Sequence, residues 1–246
     1  MHPLQAERKK ARRRYHTLVA AAIALFVLLW ATQTGGGDQK ACGYSALFYA
    51  VPLMNTVVLP LGTAVLASRI WDVESKEQNC RLLFTLQSRG SLFGSKVLLG
   101  LGQLLLICLV EGGGLLILGK TSGFTESLDW GQFWWMSLCT FGVSAMLFFL
   151  WLGLSIRFPS QVPTLALGMV GSLSGLFSAF MPVWVSRLLP WGYYVPLSAM
   201  AMNWDRSTRV TTYTAIPYPI WLLAVTALLL AVFAVWAWRT LGRKEV

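Results

Sequence analysis

Charged side chains are the scarcest feature of this 246-residue sequence. Asp, Glu, Lys and Arg together make up 12% of it and hydrophobic residues 56%, whereas a soluble domain carries about 25% charged residues. So few charges do not cover a surface that faces water on all sides. The composition therefore excludes an ordinary soluble globular domain.

Histidine and closely spaced cysteine are missing from most of the chain. Both histidines lie within the first 16 residues, and the four cysteines are scattered without CxxC spacing. A disulfide framework or a zinc site needs a closer pattern. A Ser–His dyad needs a histidine in a later apolar run, and the sequence has none there. We therefore expect no metal site and no catalytic site.

Six long runs with almost no charge make up most of the chain. About 20 apolar residues cross a bilayer as a helix, and a spanning helix satisfies its own backbone hydrogen bonds. We predict an all-α polytopic membrane protein with six transmembrane helices in a single domain, residues 1–246. The runs are residues 15–37, 41–68, 97–119, 130–156, 158–186 and 210–238.

The basic residues are divided unevenly between the two sides of the membrane. An even number of spans places both termini on one side, together with residues 69–96 and Arg157. That side holds fifteen of the twenty Lys and Arg residues, so the positive-inside rule makes it cytoplasmic. The formal net charge of +10 includes a basic lead-in at residues 1–15 that faces anionic lipid, and we expect no nucleic-acid partner.

One motif in the third run matches the sequence pattern of a nucleotide-binding site. Residues 114–121, GLLILGKT, match the phosphate-binding pattern G-x-x-x-x-G-K-[ST], which works as a loop between a strand and a helix. Here the four middle residues are apolar and close a membrane span on its outer side. ATP-driven work therefore needs a separate chain.

Two spans contain polar residues that have two alternative roles. Glu111 is the one ionisable residue well inside a run, and such a group usually faces a bundle interior or a wet cavity. The second run contains Asn55 between Pro52 and Pro60, and each proline leaves a helix carbonyl without its donor. Glu111 and Asn55 are candidates for a translocation pathway, or they only tune helix packing.

Small and aromatic residues mark the fifth run and the outer connection that follows it. Gly168, Gly171 and Gly175 are candidates for helix packing, and the last two form with Ala179, at a spacing of four, a small-residue stripe for close helix contact, within the chain or with a second subunit. Residues 186–219 carry six Trp and Tyr residues, so we expect part of this outer connection to lie in the headgroup layer. The alternative is that its rings form a surface for an amphipathic ligand.

The charges that the spans lack are gathered in residues 69–96. Asp72, Glu74 and Glu77 are three of the chain's ten acidic residues, and Glu77 and Arg81 form an i,i+4 pair if this stretch is helical. A charged and partly apolar helix at the cytoplasmic face fits docking to a soluble protein. The alternative is a solvated loop with ordinary charges.

Three stretches resemble one family of transport proteins. VESKEQNCRLLFTLQSRGSLFGSK (73–96) is similar to the segment after the second span of type-2 ABC exporter permeases. LQAERKKARRR (4–14) is similar to the family's lead-in helix at the membrane surface. LFFLWLGLSIRFPSQVPTLALGMVGSLSG (147–175) resembles the permeases of bacteriocin and lantibiotic immunity systems.

The resemblance implies a six-helix permease half in a bacterial cell membrane. Two such halves, identical or homologous, pair with each other. Each lays a cytoplasmic coupling helix into a groove of a separate ATP-binding subunit, which holds MgATP. Carried over position by position, the coupling candidates are Asp72, Glu74, Ser75, Glu77 and Arg81, and the lead-in candidates are Glu7, Arg8, Lys9 and Lys10.

The function implied by the resemblance is export of amphipathic peptide antibiotics, lantibiotic or bacteriocin in type, for immunity or resistance. A type-2 permease for lipid, polysaccharide, an ion or a drug is the alternative. A membrane scaffold that transports nothing is a third hypothesis. In each case we expect this chain itself to bind no cofactor.

Overall fold

The computed structural model describes residues 15–33, 42–75, 88–207 and 210–243. Six of the described helices are long and apolar enough to cross a membrane, which confirms the predicted polytopic helical fold. Residues 1–14 of the basic lead-in lie outside the described residues. In chain order the elements are α1 (His16–Gln33), α2 (Gly43–Ser75), α3 (Arg89–Thr121), α4 (Trp130–Arg157), α5 (Val162–Ala179), α6 (Val183–Ser186), β1 (Met200–Trp204), β2 (Thr211–Ala215) and α7 (Ile220–Gly242).

Helices α2 and α4 form the centre of the bundle. In the most apolar window of each helix, 72% of the residues are buried in α2 and 78% in α4, against 17% in α7. The outer helices turn apolar side chains such as Leu109 and Leu228 outward, and lipid tails are as apolar as these side chains. The side chains of α2 and α4 are thus the ones that other protein groups surround.

Pro52 in α2 creates the contact between this helix and the outer connection. A helical residue donates to the carbonyl four residues before it, and proline has no N–H to donate. The Phe48 carbonyl is therefore free of its helical donor, and it accepts a hydrogen bond from the Ser198 hydroxyl at 3.4 Å. A free carbonyl predicted from the sequence is in this way satisfied by a distant part of the chain.

Pro60 also removes a helical hydrogen bond, two turns further along α2. It frees the Thr56 carbonyl, and Gly175 of α5 packs so closely on it that a Cβ at position 175 would lie 3.0 Å from the oxygen. The next amide, the Leu61 N–H, donates to the Ser172 hydroxyl of α5 at 3.1 Å. Helix α5 thus supplies a small residue and a hydroxyl where proline interrupts the α2 backbone.

The other two glycines of α5 also lie at close contacts within the chain. A Cβ on Gly168 would be 2.6 Å from the Cβ of Ala64 in α2, and Gly171 packs against the indole of Trp191. All three glycines are buried. These three glycines therefore face this chain's own residues.

Part of the outer connection enters the bundle, and the prediction that part of this connection lies on the membrane therefore concerns its other residues. Residues 190–197, here called the inserted segment, begin with a 3₁₀ turn at Pro190–Gly192. Tyr193, Tyr194 and Leu197 are buried and belong to the same core as α2 and α4. A ring that is apolar with one polar atom suits a hydrogen-bonded interior as well as a headgroup layer.

Hydrogen bonds from α4 hold the inserted segment in place. The Trp135 indole donates to the Leu197 carbonyl at 2.8 Å, and the hydroxyls of Tyr194 and Ser144 lie 3.1 Å apart. At 1.5 Å per residue, Ser144 lies about 21 Å from the outer end of α4, roughly halfway along it. The aromatic side chains of the inserted segment therefore reach the middle of the bundle.

The rest of the outer connection forms an antiparallel hairpin of β1 and β2, whose register pairs Met200 with Ala215. The sequence analysis did not predict these strands within the outer connection. β2 is rich in threonine, which favours strands, and Pro217 and Pro219 separate it from the helix. The predicted outer connection ends at residue 219, and α7 begins at Ile220.

Two acidic residues on the outer side cap helices. Asp129 accepts a hydrogen bond from the Gly131 N–H at 2.7 Å at the start of α4. Glu126 accepts one from the Ser45 N–H at 3.0 Å at the start of α2. A carboxylate at a helix N-terminus satisfies free amides and complements the helix dipole. Both carboxylates are thus used by the fold.

We predict that Gly168→Ala destabilises the protein by about 1–3 kcal/mol, because the added methyl group meets Ala64 and neither group can rotate away. Gly102→Ala is the matched control, because nothing lies within 4 Å of a Cβ at that position. There the better helix propensity of alanine stabilises by up to about 1 kcal/mol. Detergent-induced unfolding measures both variants, and equal stability would contradict the packing described here.

Candidate functional site

A cluster of buried polar side chains lies where α2, α3 and α4 meet. The Asn55 amide donates to the Glu111 carboxylate at 3.1 Å and to the Thr140 hydroxyl at 3.4 Å. Glu111 is 2% exposed and Asn55 is 0% exposed. The structure therefore brings the two pathway candidates into direct contact. We call Asn55, Glu111 and Thr140 the polar cluster.

The polar cluster has acceptor atoms that nothing in the described part of the chain satisfies. Glu111 Oε1 and Asn55 Oδ1 are both buried and have no hydrogen-bond partner there. An unsatisfied buried polar atom costs about 1–3 kcal/mol, so such atoms in proteins call for a water molecule, an ion or a ligand. A cationic group or a water molecule supplies the donors that this cluster lacks.

A small cavity lies between the polar cluster and the inserted segment. Its volume is about 10 Å³, enough for about one water molecule. Thr140, Tyr194 and Gln132 contribute polar atoms to its lining. Burial raises the pKa of the Tyr194 hydroxyl, so this group stays neutral and can both donate and accept hydrogen bonds. Polar groups therefore continue from the outer connection to Glu111.

Sequence reasoning missed three residues of this region. Thr140 and Ser144 lie four residues apart in α4, and residues at that spacing share one helix face. Hydroxyls at Ser137, Thr140 and Ser144, which share one face of a largely apolar span, were the available signal. Tyr194 had no such signal, because its position depends on the path of the inserted segment.

The coupling candidates lie at the cytoplasmic end of α2 or beyond it. α2 is helical through Ser75, so Asp72, Glu74 and Ser75 belong to its last turns. Asp72 is only 5% exposed, so its side chain is largely covered by other residues of this chain. Glu77 and Arg81 lie outside the described residues. The role of these five residues in coupling stays a prediction.

At the same end of the bundle, α3 begins beside the end of α7. Ser88 caps α3 by accepting a hydrogen bond from the Ser91 N–H at 3.3 Å. The Arg89 guanidinium donates to the Gly242 carbonyl of α7 at 2.7 Å. The rings of Phe93 and Trp238 meet edge to face with centroids 5.4 Å apart. The charged connection therefore leads directly into a contact between two spans.

The phosphate-binding pattern forms no loop. Residues 114–121 belong to α3, which runs to Thr121. The chain then turns at Gly123, whose φ of +66° is a conformation that glycine adopts without strain. The Gly114 backbone packs against Leu28 of α1. This glycine serves helix packing, and the pattern cannot cradle phosphate groups.

A family model described as ABC-2 family transporter protein matches residues 3–175, more than two thirds of the chain. The matched region contains α1 to α4 and most of α5, and it includes the whole polar cluster. A search of curated proteins gives no match to the chain.

We predict a coupling energy of about 1–3 kcal/mol between Asn55→Leu and Glu111→Leu, because either change removes the same buried hydrogen bond. Gln103→Leu combined with Asn55→Leu is the control pair. Gln103 is also a buried amide of α3, but it lies about 12 Å along the helix from Glu111. Unfolding free energies of the single and double variants give both couplings. Equal values for the two pairs would show that Asn55 and Glu111 do not act together.

Proposed function

The chain belongs to the ABC-2 family of transporter proteins and is a permease subunit of an ABC transporter, and we propose that it removes amphipathic peptide antibiotics from the membrane. Membership of this family implies partnership with an ABC ATP-binding subunit. In such a pair the ATP-binding subunit hydrolyses ATP, and the permease subunit does not. We infer that MgATP in that separate subunit drives export. The proposed result is immunity or resistance in a bacterial cell.

The polar cluster is the observation that supports a cationic amphipathic cargo. It places one carboxylate, with a free acceptor oxygen, among apolar helices. The attraction between opposite charges is stronger in such surroundings than in water. The apolar helices can also contact the apolar face of the peptide. The likeness of residues 147–175 to immunity permeases agrees with this cargo.

We further propose that Glu111 and Asn55 line the translocation pathway. The cavity beside Thr140 has room for only about one water molecule, so a peptide needs a wider path. A second permease copy, or a homologous permease, would provide the other wall of that path. Nucleotide-driven closure of the ATP-binding subunits would open and close it by tilting the spans.

We propose that Asp72, Glu74, Ser75, Glu77 and Arg81 dock the ATP-binding subunit; the first three of them belong to the last turns of α2. We expect the double charge reversal Glu74→Lys, Glu77→Lys to abolish copurification of the ATP-binding subunit, because like charges then oppose each other in the groove. Asp205→Lys is the control, since Asp205 is an exposed acid on the outer hairpin. Copurification that is unchanged in the double reversal would contradict the assignment.

For the cargo, we expect cells that lack this permease to become sensitive to a lantibiotic, and wild-type protein to restore tolerance. Glu111→Gln should fail to restore it although its copurification with the ATP-binding subunit is normal, because the carboxylate charge is lost. Glu111→Asp keeps the charge and is the matched control. Growth at increasing lantibiotic concentrations is the measurement, and full restoration by Glu111→Gln would argue for a different cargo.

A further inference from the structure

A second cavity lies at the outer end of the bundle, beyond the end of α5 and beside the start of α7. Its volume is about 380 Å³, within the range of about 300–1,000 Å³ that is usual for small-molecule pockets. Apolar side chains and prolines make up most of its wall. The residues that matter below are Ser178, Arg187, Val195 and Ser198.

Arg187 gives this cavity a positive charge. It is the one charged residue in the lining, and among the described residues its guanidinium has no carboxylate or hydrogen-bond partner. It stacks on the ring of Trp221 at 4.9 Å, which fixes its position without using its N–H donors. Of the outer acids in the described part of the chain, Glu126 and Asp129 serve as helix caps.

Two hydroxyls of the lining already donate to carbonyls of the chain. The Ser178 hydroxyl donates to the Gly175 carbonyl at 2.7 Å, and the Ser198 hydroxyl donates to the Phe48 carbonyl. Outside the lining, the Tyr193 hydroxyl donates to the Arg187 carbonyl at 2.9 Å and so holds the backbone of Arg187. The guanidinium is the charged donor of the cavity, and a guanidinium prefers an anion with paired oxygens.

The surroundings of the cavity are those of the lipid headgroup layer. Trp221 lies in the first turn of α7 and is 51% exposed, and Trp184 and Leu188 are also exposed beside Arg187. Tryptophan collects at the membrane–water interface, so Arg187 lies at the depth of lipid phosphates. We propose that this cavity binds the phosphate and glycerol region of an anionic phospholipid from the outer leaflet.

This lipid site is separate from the proposed cargo pathway. A cationic peptide is attracted by Glu111 and repelled by Arg187, so one ligand does not suit both places. The apolar wall would cover the glycerol and the first acyl carbons, while the rest of the chains stay in the bilayer. Binding of the lipid depends neither on the peptide cargo nor on an ATP-binding subunit.

Native mass spectrometry of the delipidated full-length protein with added phosphatidylglycerol tests the proposal. We expect Arg187→Gln to weaken binding about tenfold or more, since a hydrogen bond to a charged group is lost. Val195→Phe fills the cavity and should weaken binding in a similar way. Arg206→Gln is the matched control, because Arg206 is an exposed arginine of the outer hairpin that does not line the cavity.

Two ligand controls identify the source of the phosphate. Diacylglycerol with the same chains has no phosphate and should bind at least about tenfold more weakly. Inorganic phosphate at the same concentration should not displace the lipid. The proposal is overturned if Arg187→Gln or Val195→Phe binds as the wild type does, if diacylglycerol binds equally well, or if inorganic phosphate displaces the lipid.

Discussion

Two backbone carbonyls of α2 have lost their helical donors to proline, and inside a bilayer no bulk water replaces those donors. The fold is arranged around this constraint. Ser198 of the outer connection reaches the carbonyl freed by Pro52, and α5 brings Gly175 against the carbonyl freed by Pro60. The insertion of residues 190–197 into the bundle and the close approach of α5 to α2 both follow from these two positions.

The polar cluster lies in the same interior as the two prolines of α2, and the cluster and the prolines are connected. Asn55 lies between the prolines in sequence, and Thr140 and Tyr194 lie on the same small cavity. A buried carboxylate is costly in an apolar span, and its donor here comes from the interrupted helix. The outer cavity at Arg187 has a cationic group and a different environment. The molecule thus separates a carboxyl group inside the bundle from a guanidinium group at its outer end.

Much of the fold could be predicted from the sequence because uncharged runs of membrane length have few alternatives to a spanning helix. The free carbonyls of α2 were also predictable, since proline removes a donor at a known position. The groups that meet those carbonyls were not, because Ser198, which donates to the Phe48 carbonyl, and Gly175, which packs against the Thr56 carbonyl, are more than 100 residues away. No local pattern links them to α2. The hairpin was missed because β1 and β2 have only 5 residues each, and so short a stretch carries little alternating pattern.

The length of α2 has a mechanical consequence. Its 33 residues are one helix, and from Ser75 to Phe48 the rise amounts to about 40 Å. A tilt of about 5° at the cytoplasmic end would shift the Phe48 carbonyl by roughly 3.5 Å over that lever arm, more than the length of its hydrogen bond to Ser198. A tilt of α2 at its cytoplasmic end would thus break or re-form the hydrogen bond between Phe48 and Ser198 at the opposite face. No chain of moving side chains is needed between the two ends.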